Sequence, residues 1–315
     1  MSKFFVVGDV TVDQMIFVDE LPEAGTDTAA KRALIGPGGA GGTIATVLAR
    51  LGNEVTIATR VGEGAFADVA FEHVRAANVN TNLVQFDKQN PTSTVTLLIT
   101  PDTQRTMVSY SGASRKLDAG KLKETDVSSC DALVMSAYSL VGGLQREYAV
   151  KALDIAKRAK LTTFIDMGSG AVDALRDRLI SLVRDVDYLL MNQHELFTLT
   201  GESSISEAVE GLADQGIERV IVKVGEMGSI VVTPELTELV DAWQVDGIVD
   251  TTGAGDYFAA AFAHGIMQGY DLYYAAKLGN IAGAMNAMHV GAQTCVFTAA
   301  DLERHANDLL AVESR

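Results

Sequence analysis

Apolar residues in this chain gather into short unbroken runs, separated by stretches in which they recur every three or four positions. The runs are Lys3–Val7, Val55–Ala58, Ala132–Met135, Thr163–Ile165, Tyr188–Met191, Val220–Val224 and Ser229–Val232. Runs of this length, rich in β-branched residues, read as strands buried on both faces. Between them, Ile44, Val47, Leu48 and Leu51 fall at helical spacing and Gly52 closes that helix. Further helical stretches cover 145–159, 172–183 and 204–215. The alternation predicts an α/β fold: a three-layer core with a mainly parallel central sheet flanked by helices. Two segments break it. Residues 12–34 alternate apolar with polar positions around the turn signals Pro22 and Gly25, and 92–110 reads as a hairpin turning at Pro101-Asp-Thr-Gln104. Together they predict a small β lid, with one face free to cover a substrate or to pair with a second copy. With no linker or repeat, residues 1–315 are expected to form a single domain with the lid inserted in two pieces.

Composition narrows the options. Of 315 residues, 48% are apolar and 21% charged, enough for a substantial core and unlike a disordered chain. The net charge of −16 argues against nucleic-acid or anionic-membrane partners, which need basic surface. An anionic ligand must then be offset locally, by helix ends, a few Lys or Arg, or a divalent metal. No run of 18 apolar residues is present to span a membrane, and acidity as early as Asp9 is unlike a secretory signal. Cys130 and Cys295 are isolated, which suits a reducing cytosol, so a cytoplasmic location is expected. His73, His194, His264, His289 and His305 form no metal-ligand spacing.

Two glycine clusters carry the candidate chemistry. Asp250-Thr-Thr-Gly-Ala-Gly-Asp256 follows the apolar run Trp243, Val245, Ile248 and Val249 and leads into a helix-forming stretch with no breaker until Gly265. A helix start presents N–H groups without intrahelical partners and partial positive charge, so it binds anions. Asp256 then falls in the first turn, beside that anion. Its natural task is to accept a proton from a hydroxyl that attacks phosphorus; the plainer alternative is that Asp250 and Asp256 cap the helix. The second cluster is Gly36-Pro-Gly-Gly-Ala-Gly-Gly-Thr43. Gly36, Gly38 and Gly41 satisfy the dinucleotide pattern G-x-G-x-x-G, which opens a reading as an NAD(P) oxidoreductase. Against it, Lys31–Ile35 is a poor buried strand and Glu63 is only roughly placed to hold a ribose. A ligand lying close to glycine backbone, or a tight turn, are the other readings.

With these motifs in order, nearly the whole chain resembles the ribokinase-like, phosphofructokinase-B-type family of carbohydrate and nucleoside kinases. Asp250–Asp256 is similar to its most specific signature, and Gly38-Gly39 before a helix to its N-terminal one. Asn192-Gln-His-Glu195 looks like its Asn-x-x-Glu element, and Val224-Gly225-Glu-Met-Gly228 like its nucleotide-contacting turn. The resemblance implies ATP-dependent transfer of the γ-phosphoryl group to a hydroxyl of a sugar, sugar-like molecule or nucleoside. It implies Asp256 as base and the amides of Gly253, Ala254 and Gly255 as anion hole. Asn192 and Glu195 would act on Mg²⁺ and its waters, or simply form a helix cap. Lys223, Gly225, Gly228 and Thr251 would contact nucleotide, with adenine between the 224–228 turn and segment 280–293, where Asn286 is a candidate. A monovalent cation (K⁺) would sit around Asp250, Thr252 and Gly291. Acceptor recognition would fall to Asp13, Thr11, Gly38, Gly39 and Thr43, with Arg105 and Tyr110 reaching in from the lid hairpin.

Some positions depart from the family pattern. Thr11, Thr43 and Ser114 carry hydroxyls where many relatives have Asn, which puts a ribose-type hydrogen-bond set in doubt and leaves room for a sensor that has lost catalysis. Asp166-Met-Gly-Ser differs from the usual Asp-Pro-Asn run, which weakens a role for Asp166. A homodimer through the lid is left open.

Overall fold

A computed structural model describes residues 1–102 and 105–313. Thr103 and Gln104, in the turn expected for the hairpin, lie outside the described residues. The strands are β1 (Lys3–Val7), β2 (Thr11–Phe17), β3 (Arg32–Gly38), β4 (Glu54–Ala58), β5 (Arg60–Gly62), β6 (Gln85–Asp87) and β7 (Ser93–Ile99). They continue as β8 (Arg105–Tyr110), β9 (Ala132–Ser136), β10 (Thr162–Asp166), β11 (Tyr188–Asn192), β12 (Val220–Lys223), β13 (Ser229–Val232) and β14 (Thr237–Val240). Eight form the central sheet in the order β14-β13-β12-β11-β10-β9-β1-β4. The pairs from β12 through β4 are parallel, and β13 and β14 add an antiparallel edge. All seven expected apolar runs are strands of this sheet. β14 was not expected: its Thr-Glu-Leu-Val run is mostly exposed and shows no clear period.

Side chains alternate across β1, and both faces are buried. Phe4 and Val6 join Val134, Phe164, Leu190 and Ile221 against the helices Ala40–Arg50, Ala254–Met267 and Leu272–Ala287. Phe5 and Val7 join Leu133, Met135, Ile165 and Leu189 against Gly143–Ala159, Gln193–Thr200 and Ile205–Ala213. Helices on both faces are what a parallel sheet requires. The stretch expected as one helix over 172–183 is two, Ser169–Leu175 and Asp177–Val183, because Arg176 between them has φ of 38° and cannot continue a right-handed helix.

The two irregular segments form a separate four-stranded sheet, β3-β2-β7-β8. It is mixed rather than antiparallel throughout: β2 pairs parallel with β7, while β2–β3 and β7–β8 are antiparallel. Gly36 and Gly38 lie inside β3, paired with Asp13 and Thr11. They are therefore not the turn of a βαβ unit after a buried parallel strand, and the dinucleotide-binding reading of Gly36-x-Gly-x-x-Gly41 loses its structural context. Among the described residues no helix is long and apolar enough to cross a membrane.

Candidate active site

Neighbouring strands β12, β11, β10 and β9 end in Lys223, Asn192, Asp166 and, two residues past β9, Tyr138. All four residues line one cavity of about 710 Å³ at the carboxyl edge of the sheet. The opposite wall is the start of the helix Ala254–Met267, with Gly253, Ala254, Gly255 and Asp256. Thr251, Gly225 and Gly228 line it as well, as do Trp243, Val245 and Ile248. Gly279, Gly283 and Ala284 line the same cavity as Gly225 and Gly228, the two segments between which adenine was expected.

The glycines at the helix start have distinct reasons. Gly253 has φ of 80°, and a Cβ there would lie 2.8 Å from Ala292 O, so the turn itself demands glycine. A Cβ on Gly255 would come within 3.2 Å of Lys223 Nζ, so this glycine leaves room for the ammonium beside the amides of the helix start. The Ala254 N–H is committed to Thr251 O at 3.2 Å, which removes one of the three amides expected in the anion hole. The first helical turn still leaves Gly255 and Asp256 N–H without intrahelical acceptors.

Charges in this cavity lie close enough to shift one another. Lys223 Nζ donates to Asp166 Oδ1 at 2.6 Å. Burial pulls the Lys223 ammonium down, but Asp166, Glu195 and Asp256 outweigh it and hold it above its usual range. Asp256 is raised well above the ordinary carboxylate range, first by burial and then by the charge on Asp166, with Lys223 pulling the other way and Asp13 and Glu195 adding to the rise. Asp166 is raised by burial despite its lysine partner. Asn192 and Glu195 form a reciprocal cap: Asn192 Oδ1 accepts from Glu195 N at 2.8 Å and Glu195 Oε2 accepts from Asn192 N at 2.9 Å. Ser169 Oγ donates to Glu195 Oε1 at 3.1 Å. The plain capping role is therefore present, and the same two side chains face the cavity.

Ala40 lines this cavity, whereas the acceptor-side candidates Asp13, Thr11, Gly38, Gly39 and Thr43 do not. Asp13 is buried, accepts from Thr11 Oγ1 at 2.7 Å, and is pushed up to about 6 by burial, with Asp250 adding to the rise. A Cβ on Gly38 would overlap the Asp13 carboxylate, and one on Gly39 (φ 87°) would lie 2.5 Å from Asp9 O. These glycines thus make room for protein atoms. Thr43 is buried and accepts from Gln293 Nε2 at 3.4 Å, and the Ser114 and Ser93 hydroxyls are 2.6 Å apart. Asp9 accepts from Gln145 and is raised by burial.

Three candidates stand elsewhere than expected. Asn286 is fully buried and absent from the cavity wall; its Nδ2 donates to Thr252 O at 2.7 Å, so it props the loop instead of facing a base. Arg105 donates to Thr252 Oγ1 at 2.8 Å and so binds the loop instead of pointing at an acceptor. Tyr110 is an odd number of positions from Arg105 on the same strand and faces the outer side of the small sheet, 54% exposed. The expected cation ligands are also engaged. Asp250 accepts from Thr252 N (2.9 Å), Thr252 Oγ1 (2.6 Å) and Gly291 N (2.8 Å), while Thr252 O is taken by Asn286 and Gly291 O accepts from Thr294 Oγ1 at 3.3 Å. With the Arg105 guanidinium 3.9 Å from Asp250 Oδ1, this donor-filled, already cationic setting does not suit a monovalent cation.

A family model described as pfkB family carbohydrate kinase matches residues 1–299. The chain belongs to this family. It is 26% identical over 296 residues to a deoxyribokinase of Salmonella typhi, covering 92% of this chain and 94% of that protein. Its fold is similar to an adenosine kinase from Sinorhizobium meliloti, with TM-score 0.85 and 25% identity over 97% of this chain and 99% of that one. It is also similar to Arabidopsis thaliana ribokinase complexed with ribose and ATP, with TM-score 0.83 and 23% identity over 97% and 98% of the two chains. As a member of the pfkB family the chain is a carbohydrate kinase, a phosphotransferase to an alcohol group. Among the cavity residues that the motifs did not supply are Asp166, Tyr138 and Trp243. Asp166 had a signal: it follows a buried apolar run at the carboxyl edge, where ligands of open α/β sheets bind.

Proposed function

We propose that the protein transfers the γ-phosphoryl group of ATP to a hydroxyl of a sugar or sugar-like molecule. The observation that carries this reading is the placement of Asp256. Its carboxyl sits in the first turn of a glycine-flanked helix start, in one cavity with Lys223, Asn192 and Glu195. The adenine would lie between the 225–228 turn and Gly279–Ala284, with the triphosphate directed at the helix start. As the acceptor oxygen bonds to the γ-phosphorus and the bond to the ADP oxygen breaks, Asp256 takes the acceptor's proton. The transition state is loose, so positioning and charge stabilisation do most of the work. The N–H groups of Gly255 and Asp256 and the Lys223 ammonium would meet the charge on the transferred group. Among the described residues no group of three His, Cys, Asp or Glu could hold a metal alone, so Asn192 and Glu195 fit a Mg²⁺ ion held through its waters and by phosphate. That ion would neutralise phosphate charge.

The acceptor set favours a neutral polyol. Asp13 and Asp9 can each accept hydrogen bonds from hydroxyls, and Thr43 and Ser114 already have partners within the protein. ADP formation from MgATP across pentoses, hexoses, sugar acids and nucleosides tests the proposal. A neutral sugar should give the highest rate; a nucleoside acceptor would move the assignment within the family. No turnover with any of them, together with saturable NAD(P) binding, would overturn it.

A further inference from the structure

Arg105 opens β8 on the same face of the small sheet as Asp13 and Phe17, and it crosses to the loop before the helix start. Its Nη1 donates to Thr252 Oγ1 at 2.8 Å and lies 3.9 Å from Asp250 Oδ1. Thr252 in turn donates to Asp250 through both N and Oγ1, and Asp250 also receives Gly291 N. One carboxylate therefore gathers the loop, the 288–291 turn and the lid. A small cavity of about 60 Å³ lined by Phe17, Ile99, Ile248 and Val290 lies beside this knot and marks the seam between sheet and loop. The Asp250 side chain is only 6% exposed and that of Arg105 27%, so solvent screens the contact weakly.

We infer that Arg105 is the resident cation of the Asp250–Thr252–Gly291 knot, taking the place of a monovalent ion and pinning the small sheet to the loop that presents the phosphate-binding amides. A buried carboxylate with three donors is already satisfied, and the guanidinium beside it opposes entry of another cation. The pin joins the small sheet to the loop, so it couples the position of β8 to that of Thr252, Gly253 and the helix start. Arg105 is thus a positioning residue. Its effect on turnover rests on the kinase reading; the pin itself does not.

Hydrogen exchange on the full chain without nucleotide or acceptor tests the pin directly. Samples in potassium chloride and in choline chloride of equal ionic strength are compared for the amides of 250–256. Wild type should show equal protection in both salts. Arg105→Gln should exchange these amides faster by about tenfold, the loss of one charge-assisted hydrogen bond, with β1 amides unchanged. Arg105→Lys, which keeps the charge and loses the fork, should fall between and covers the case in which Gln unsettles the chain. Protection that rises with potassium in wild type would overturn the inference, as would unchanged exchange at 250–256 in both variants. Because no substrate is present, neither result depends on whether the phosphoryl-transfer reading is correct.

Discussion

Asp256 carries opposed demands on one side chain. The surroundings that raise its proton affinity make it a better base, and they also make its ionised form costly in the folded state. Its folded-state pKa lies above the unfolded value of about 3.9, so its favourable contribution is complete below that value and is lost as pH rises through the folded pKa. Asp256→Asn removes the titration at nearly constant shape. Urea unfolding should therefore find the variant more stable than wild type by on the order of 1 kcal/mol at about pH 8, with the gap closing toward about pH 4. A variant equally stable or weaker at the alkaline end would show that burial does not charge this residue a penalty. At this scale Asp256, Asn192 and Glu195 were legible because each lies in an ordered motif, and Lys223 because it directly precedes one; all four line one cavity. Arg105 and Asn286 were not, because their partner is Thr252, far away in sequence, and no local pattern encodes that contact.

Among the elements, the helix Ala254–Met267 is the one whose aim matters most. Its first turn is set by Gly253 in a left-handed conformation tight against Ala292, while Phe258 and Phe262 anchor its body in the core. Gly253→Ala should cost about 1–3 kcal/mol of stability through strain at positive φ and the Ala292 contact. Thermal melting would read this as a lowered midpoint; an unchanged midpoint would mean that the turn can relax without cost. Buried strands were readable from their apolar runs, because a strand covered on both faces needs no partner information to be recognised. The small sheet was only partly readable. Alternation located 12–34 and 92–110, but the parallel pairing of β2 with β7 joins segments far apart in sequence and leaves no periodic trace. The break at Arg176 was hidden for another reason: a single left-handed residue inside a helical pattern changes no hydrophobic spacing.

For the molecule as a whole, the central sheet brings the carboxyl ends of β9 through β12 to one side, and the small sheet reaches the Asp250–Thr252 loop through Arg105, on the same face as Asp13. Its other face carries Ile16, Ile35, Leu98, Val108 and Tyr110, with Ile35 61% and Val108 65% exposed. Such a patch on a sheet invites a second copy. We propose a homodimer through this face: sedimentation should give a dimer for wild type and a monomer for Val108→Glu, and a monomeric wild type at micromolar concentration would contradict it. The order of the kinase motifs spans the chain, which is why family membership was legible before the geometry. The identity of the acceptor was not, because Thr43 accepts from Gln293, the Ser114 hydroxyl meets that of Ser93 and Gln145 donates to Asp9, contacts that join segments distant in sequence. In the proposed reaction Asp256 removes the acceptor's proton beside a nucleotide held at the helix start. Steady-state turnover of Asp256→Asn, with the best acceptor from the panel and MgATP saturating, tests it most directly. Turnover should fall about 10²–10⁴-fold with nucleotide affinity within a few fold of wild type; a variant that turns over at the wild-type rate would contradict it.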